Sequence, residues 1–376
     1  MKKKNLIRSI KVICLLLCVA LLSCAANDFC RFYDHNASRL AGFYAEPENT
    51  LDVVLMGASE VFTGFSPGYA YDLYGFTSYS YALDAMSCAF YESQLKEILK
   101  HQDPSLIVIE INGVLYDDPA MHTDNGSLLR YLHNMPFGWN KVQSIFELVP
   151  EGERYYYFFP LAKYHGNWKD ALDQGGRMKD HYEFFKNGTK LKGNATTLAP
   201  FEEFRSQDVL EDRTTAELEE QSEKYLRSFL EFCREQGLDN VVFARFPHAI
   251  STDWNYGRFQ RGNRAQQIIE EYGYPVVNLE RDPDAIGIDF SCDFYNIDHL
   301  NLYGQKKLTE YFGKVLVEEY GVTGGSLSEE QRWNWEESAG YTNRFYDYCF
   351  ERMENGEYDS VYETRDLIQM LDGYGN

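Results

Sequence analysis

DVVLMGASEVFTGFSP, residues 52–67, begins as a continuous apolar run of β-branched and aliphatic side chains, breaks at Gly57, and sets a serine, Ser59, two residues further on. An unbroken run of this kind suits a strand buried on both faces, the situation of a parallel sheet covered by helices. Ser59 then falls just past a strand's carboxyl end. Two roles are open to it: a nucleophile raised at the top of a sheet, or a small polar residue capping the turn that follows.

Working outward, SLIVIEING (105–113), NVVFARFP (240–247) and YPVVNL (274–279) repeat the pattern, and SYSYAL (78–83) is a weaker fifth strand. Between them the apolar spacing predicts helices over 91–101, 215–236, 261–272 and 302–320. Strand and helix in alternation predict an α/β fold with a parallel central sheet and helices on both faces, in which ligands sit at the carboxyl ends of the strands.

Residues 114–212 interrupt this alternation and are too long for a plain loop, so they read as an inserted, aromatic-rich subdomain. Its stretch RYYYFFPLAKYHGNWKDAL (154–172) brings His165 and Trp168 close together, either as a substrate-contacting lid or as part of a small core. KNGTKLKGNATT (186–197) reads as a flexible loop. From residue 321 onward, twelve acidic and four basic residues describe an acidic helical extension, with Ser326 or Ser328 as a helix cap and no chemistry of its own.

With 58 acidic and 36 basic residues the net charge is −22, which repels phosphate backbones and excludes nucleic acid as a natural partner. Five basic residues precede VICLLLCVALLSCAA (12–26), so 1–26 is a signal or anchor segment that sends the rest of the chain out of the cytoplasm. Three outcomes are open: lipid attachment at Cys24 within LLSC, an uncleaved membrane anchor, or simple secretion. The five cysteines beyond this segment are scattered, with no CxxC pair and no metal-ligand spacing, and their pairing cannot be deduced. There is no Gly-rich phosphate loop and no HExxH helix, so neither metal nor cofactor is expected.

A serine nucleophile needs a base, a group that orients the base, and donors for an oxyanion. His299 stands in DFYNIDHLNLYGQKKLTEYF (293–312), directly before the last helix of the sheet domain and at the same end of the sheet as Ser59. LMGASE after a first strand, with DHLNLYG before a C-terminal helix, resembles the SGNH/GDSL hydrolase superfamily. The resemblance is closest to its exported, membrane-tethered branch related to proteins of teichoic-acid D-alanylation and alginate acetylation. It spans roughly residues 51–320, with the insertion poorly matched.

That resemblance implies a three-layer flavodoxin-like fold, Ser59 as nucleophile and His299 as general base. Ala58 replaces the usual aspartate of the first motif. Asn296 stands where the family has its acid; an asparagine can orient an imidazole but cannot stabilise an imidazolium by charge. Asp298 and Asp293 are the substitutes if the loop bends towards the ring. Asn112 matches the oxyanion-hole asparagine, while the second strand's end lacks the family's glycine. Arg245 and His248, after the fourth strand, are candidates for contact with an anion or a sugar, against a structural role.

The chain therefore reads as an extracytoplasmic SGNH-like serine esterase or O-acyltransferase acting on acyl esters of a cell-surface or secreted glycan. The resemblance further implies a membrane-bound O-acyltransferase as partner. The rival reading is an inactive glycan-binding or scaffold protein of a cell-envelope modification system that has kept the fold.

Overall fold

Five apolar runs become the five strands of one parallel sheet: β1 (Val53–Gly57), β2 (Ser78–Ala82), β3 (Leu106–Glu110), β4 (Val241–Arg245) and β5 (Val276–Asn278). The computed structural model describes residues 2–123, 126–198, 204 and 206–373, so parts of the inserted segment lie outside the described residues. The strand order is β2-β1-β3-β4-β5, and every neighbouring pair is parallel. This is the flavodoxin-like order, whose direction reverses between β1 and β3 and opens a crevice at their carboxyl ends.

The alternation of side chains explains why both faces are covered. Val54, Met56, Ile107, Ile109 and Phe243 enter one apolar core, while Val53, Leu55, Val108, Val242 and Ala244 enter the other. Each such side chain contributes roughly 1.5–3 kcal/mol on burial, so the sheet is held from both sides. The helices Tyr91–His101 and Glu220–Glu235 pack on the first core, and Leu302–Glu318 packs on the second. The helix expected at 261–272 begins earlier, at Asp253, because the Thr252 hydroxyl accepts from the Asn255 N–H and caps it there.

One expectation is revised. Residues 189–197, read from their glycines and polar residues as flexible, are largely buried against the sheet edge. The Ser80 N–H donates to the Lys192 carbonyl, Arg39 donates to the Gly193 carbonyl, and Lys192 pairs with Glu46 at 2.8 Å. Their polar groups are spent on buried partners rather than on water.

The acidic extension is helical and is held to the body by aromatic side chains. Its helix Glu329–Glu354, capped by Ser328, buries Trp335, Tyr341, Phe345 and Tyr346 and packs along the helix Pro67–Tyr74. Beyond it, Ser360–Val361 pairs antiparallel with Thr196–Thr197. All eight cysteines are free thiols.

Candidate active site

The turn after β1 is built around Gly57. Its φ of +149° is a region that favours glycine, and a Cβ there would stand 2.8 Å from Glu110 Cβ on the neighbouring strand. Beyond it, Ser59 opens the short helix Ser59–Gly64 at the switch point of the sheet. Asn112 follows β3 on the other side of the same crevice.

His299 arrives from far along the chain. A small antiparallel bridge between Phe294 and Leu300 folds 293–301 into a hairpin, and Asn301 caps the helix Leu302–Glu318. Gly304 lets that helix close on the hairpin, since a Cβ at this position would lie 2.4 Å from the Asp293 carbonyl oxygen. The Gln305 side-chain NH2 then reaches the Phe62 and Thr63 carbonyls at 3.2 and 2.9 Å, which ties the helix after His299 to the helix that begins at Ser59.

The result is a Ser59 Oγ to His299 Nε2 distance of 2.7 Å across 240 residues of sequence. On the far side of the ring, His299 Nδ1 lies 3.0 Å from Asn296 Oδ1, which also accepts the backbone N–H groups of Asp298 and His299, both at 2.9 Å. Two backbone donors fix that atom as the oxygen of the amide. Nδ1 therefore carries the ring proton, and Nε2 is left as the acceptor for the serine hydroxyl.

The two alternative orienting residues are placed elsewhere. Asp298 pairs with Arg258 at 2.5 Å, and Asp293 is buried against Lys307 at 2.7 Å. Neither is hydrogen-bonded to His299 among the described contacts. Asn296 alone occupies the orienting position.

A buried polar cluster supports the pair from below. Glu60, next in sequence to Ser59, accepts from the Asn112 side-chain amide and lies 3.4 Å from Ser59 Oγ. Its other neighbour is His248, whose Nε2 stands 3.8 Å away, while His248 Nδ1 bonds Glu280 at 2.6 Å. Glu280 in turn holds the Arg245 guanidinium, with Nε at 2.8 Å. Negative and positive groups alternate along this row, which is how buried charges are tolerated.

Protonation follows from the same geometry. Burial pulls His248 down, as does Arg258, but its contacts with Glu280 and Glu60 prevail and push it up to about 9. Burial raises Glu280, yet Arg245 and His248 bring it down to about 2. Burial likewise raises Glu60, and its contact with His248 brings it below the usual carboxylate range. Glu110, which accepts the Asn112 N–H at 2.6 Å, is held well above that range by burial and by Glu60. The two buried carboxyl groups are thus shifted in opposite directions.

Arg245 and His248 are thus not positioned for substrate. Arg245 is 1% exposed, its guanidinium used by Glu280, Asn263 and the Phe259 carbonyl, so it braces the crevice from inside. His165 and Trp168 lie in the turn His165–Asp170, which packs against the helices Pro160–Tyr164 and Ala171–Asn187 and makes none of the described contacts with Ser59 or His299. Glu60 and Glu110, which are not among the candidates drawn from the sequence, both belong to the cluster. A glutamate directly after the candidate serine and another ending an otherwise apolar strand were the available signals.

No protein-family model, curated protein or solved structure matches the chain.

Proposed function

We propose that this protein is a serine esterase or O-acyltransferase of SGNH/GDSL type, held outside the cytoplasm by its N-terminal segment and acting on acyl esters of a cell-envelope glycan. The observation that carries the reading is the 2.7 Å contact from Ser59 Oγ to His299 Nε2, with the opposite ring nitrogen committed to Asn296. Support for the tether comes from one helix, Lys2–Phe29, whose segment Asn5–Phe29 is long and apolar enough to cross a membrane.

In the forward step, Ser59 Oγ attacks the ester carbonyl carbon while its proton passes to His299 Nε2. The tetrahedral intermediate collapses, the alcohol leaves with that proton, and an acyl-serine remains. Water or a sugar hydroxyl then attacks the acyl carbon, giving up its proton to His299, and the acid or the new ester departs as Ser59 regains its hydrogen. One N–H of the Asn112 amide is held by Glu60, and the other is available to an oxyanion at this crevice. Ionised Glu60 attracts the positive charge that His299 acquires, which offsets part of what a neutral Asn296 cannot supply. A membrane-bound O-acyltransferase is the partner that the resemblance to the SGNH/GDSL superfamily implies.

The neutral Asn296 favours a second reading, a glycan-binding protein that has kept the fold without the rate. The test is intact-mass labelling of the full chain in detergent with a fluorophosphonate, comparing wild type with Ser59→Ala and His299→Ala. A single adduct, lost in both variants, supports the esterase. A folded wild type that takes no adduct supports the binding protein.

A further inference from the structure

The N-terminal helix does not end at the apolar segment but runs on into the folded body. Residues 5–25 are exposed, while those from Ala26 become partly buried. Asn27 clamps the helix to the inserted segment, its side chain donating to the Phe158 carbonyl and accepting from the Leu161 N–H, both at 3.1 Å. Gln174 adds bonds to the Phe29 and Arg31 carbonyls at 2.7 and 2.8 Å, and Tyr182 bonds Asp28 at 2.5 Å. The aromatic insertion is therefore fixed to the point where the helix leaves the body.

The inserted segment that carries this clamp turns several large apolar side chains outward. Phe137 and Trp139 are each 80% exposed, Trp168 is 66% exposed and Leu172 is 95% exposed, with Phe146 and Phe159 more than half exposed. Trp139 and Phe146 are two turns apart on one face of the helix Trp139–Leu148, and Phe146 meets the ring of Phe158, next to the clamp. Water-facing surfaces rarely gather this much apolar area without a partner. Residues 154–169 carry seven Phe, Tyr or Trp and three basic residues, one of which, Lys163, pairs with Glu153 at 3.3 Å.

Resting on the tethered reading above, we propose that this face is a membrane-docking surface that lies in the headgroup layer of the bilayer holding the N-terminal segment. Aromatic rings with interspersed basic residues suit that layer, where one part of a side chain meets acyl chains and the other meets water or lipid phosphate. The lengths agree, since from Arg8 to Asn27 the helix rises about 28 Å, close to the roughly 30 Å of a hydrocarbon core. Lipid on Cys24 would bring the bilayer to the same place, three residues before the clamp. A protein partner on this face would have no need of its position beside the helix exit.

The test uses the full chain in vesicles of three parts phosphatidylcholine to one part phosphatidylglycerol, with a nitroxide quencher either near the headgroup or deep in the acyl chain. Tryptophan emission is read for wild type and for the W139F/W168F variant, which leaves Trp254, Trp333 and Trp335. The proposal expects shallow-label quenching of wild type to exceed deep-label quenching, and to fall by about twofold or more in the variant. Alkaline carbonate extraction, run in parallel, reads the tether separately. Retention of the chain without any tryptophan difference overturns the docking face and leaves the tether standing. Release of the chain with quenching preserved overturns the tether and supports the face as a binding surface in itself, and release without quenching overturns both. Retention without quenching, together with burial of both tryptophans in a purified protein complex, overturns it in favour of a protein partner.

Discussion

Asn296 and His299 stand three residues apart, and a single oxygen of Asn296 takes the imidazole Nδ1–H together with the backbone N–H groups of Asp298 and His299. Three donors on one acceptor define the tautomer of the imidazole. What the arrangement lacks is a negative charge behind the ring.

Asn296→Asp restores that charge without changing shape, and a carboxylate oxygen can accept the same three bonds. The fluorophosphonate labelling rate of Ser59 is expected to rise by about tenfold, because the imidazolium formed in the transition state gains an ionic partner. Asn296→Ala, which frees the ring to turn, is expected to slow labelling by about a hundredfold. Stopped-time mass spectrometry reads both; an aspartate variant no faster than wild type would mean that the missing charge is already supplied elsewhere.

Glu60 is the candidate for that other supply. Glu60→Gln keeps the side-chain oxygen that meets the Asn112 amide and removes the charge next to Ser59 and His299. Labelling is expected to slow by about tenfold, and Asn296→Asp to speed it by clearly more on this background than the roughly tenfold expected on wild type. Effects that simply multiply would show that the two positions act independently.

Gly304→Ala separates position from chemistry. The added methyl meets the Asp293 carbonyl oxygen and must push the hairpin that carries His299 away from the last helix, although residue 304 lies outside the crevice. The cost to stability is expected to be about 1–3 kcal/mol, with a larger relative loss in labelling rate, since a shift of about 1 Å at a reacting group costs on the order of a hundredfold. Denaturant unfolding and labelling on the same sample check the split; loss of stability with an unchanged labelling rate would show that the hairpin tolerates the displacement.

The sheet was legible because a strand buried on both faces has to be written as an apolar run, and all five runs are strands. The Ser59 and His299 positions followed from where those runs end. Less legible were features that depend on distant pairing. Residues 189–197 carry the composition of a loop, and only the groups they meet, Arg39, Glu46 and Ser80, make them an ordered edge. Glu60, Glu110, Arg245 and His248 form one cluster from three strand ends, and no local spacing announces that. Arg245 and His248 seemed fit to meet a ligand because they follow a strand at the correct end, but Glu280 reaches them first from the segment after β5.

The same cluster makes stability depend on pH with a definite sign. His248 has an ordinary value of 6.5 when unfolded and is pushed up to about 9 in the fold. Its contribution is thus complete below about pH 6.5 and is lost as pH rises through 9, amounting to roughly 3 kcal/mol for the full change. Lys141, brought down from 10.5 to about 7 by burial and by Arg31, acts in the opposite direction between those two values, a window that overlaps that of His248. The informative quantity is therefore the difference between wild type and His248→Gln, not the wild-type curve alone. Urea unfolding at pH 6 and pH 9.5 is expected to show wild type well ahead of the variant at the lower pH and most of that lead gone at the higher. An equal gap at both values would mean that His248 is neutral in the folded protein and that the row from Arg245 to Glu60 is not charged as its geometry implies.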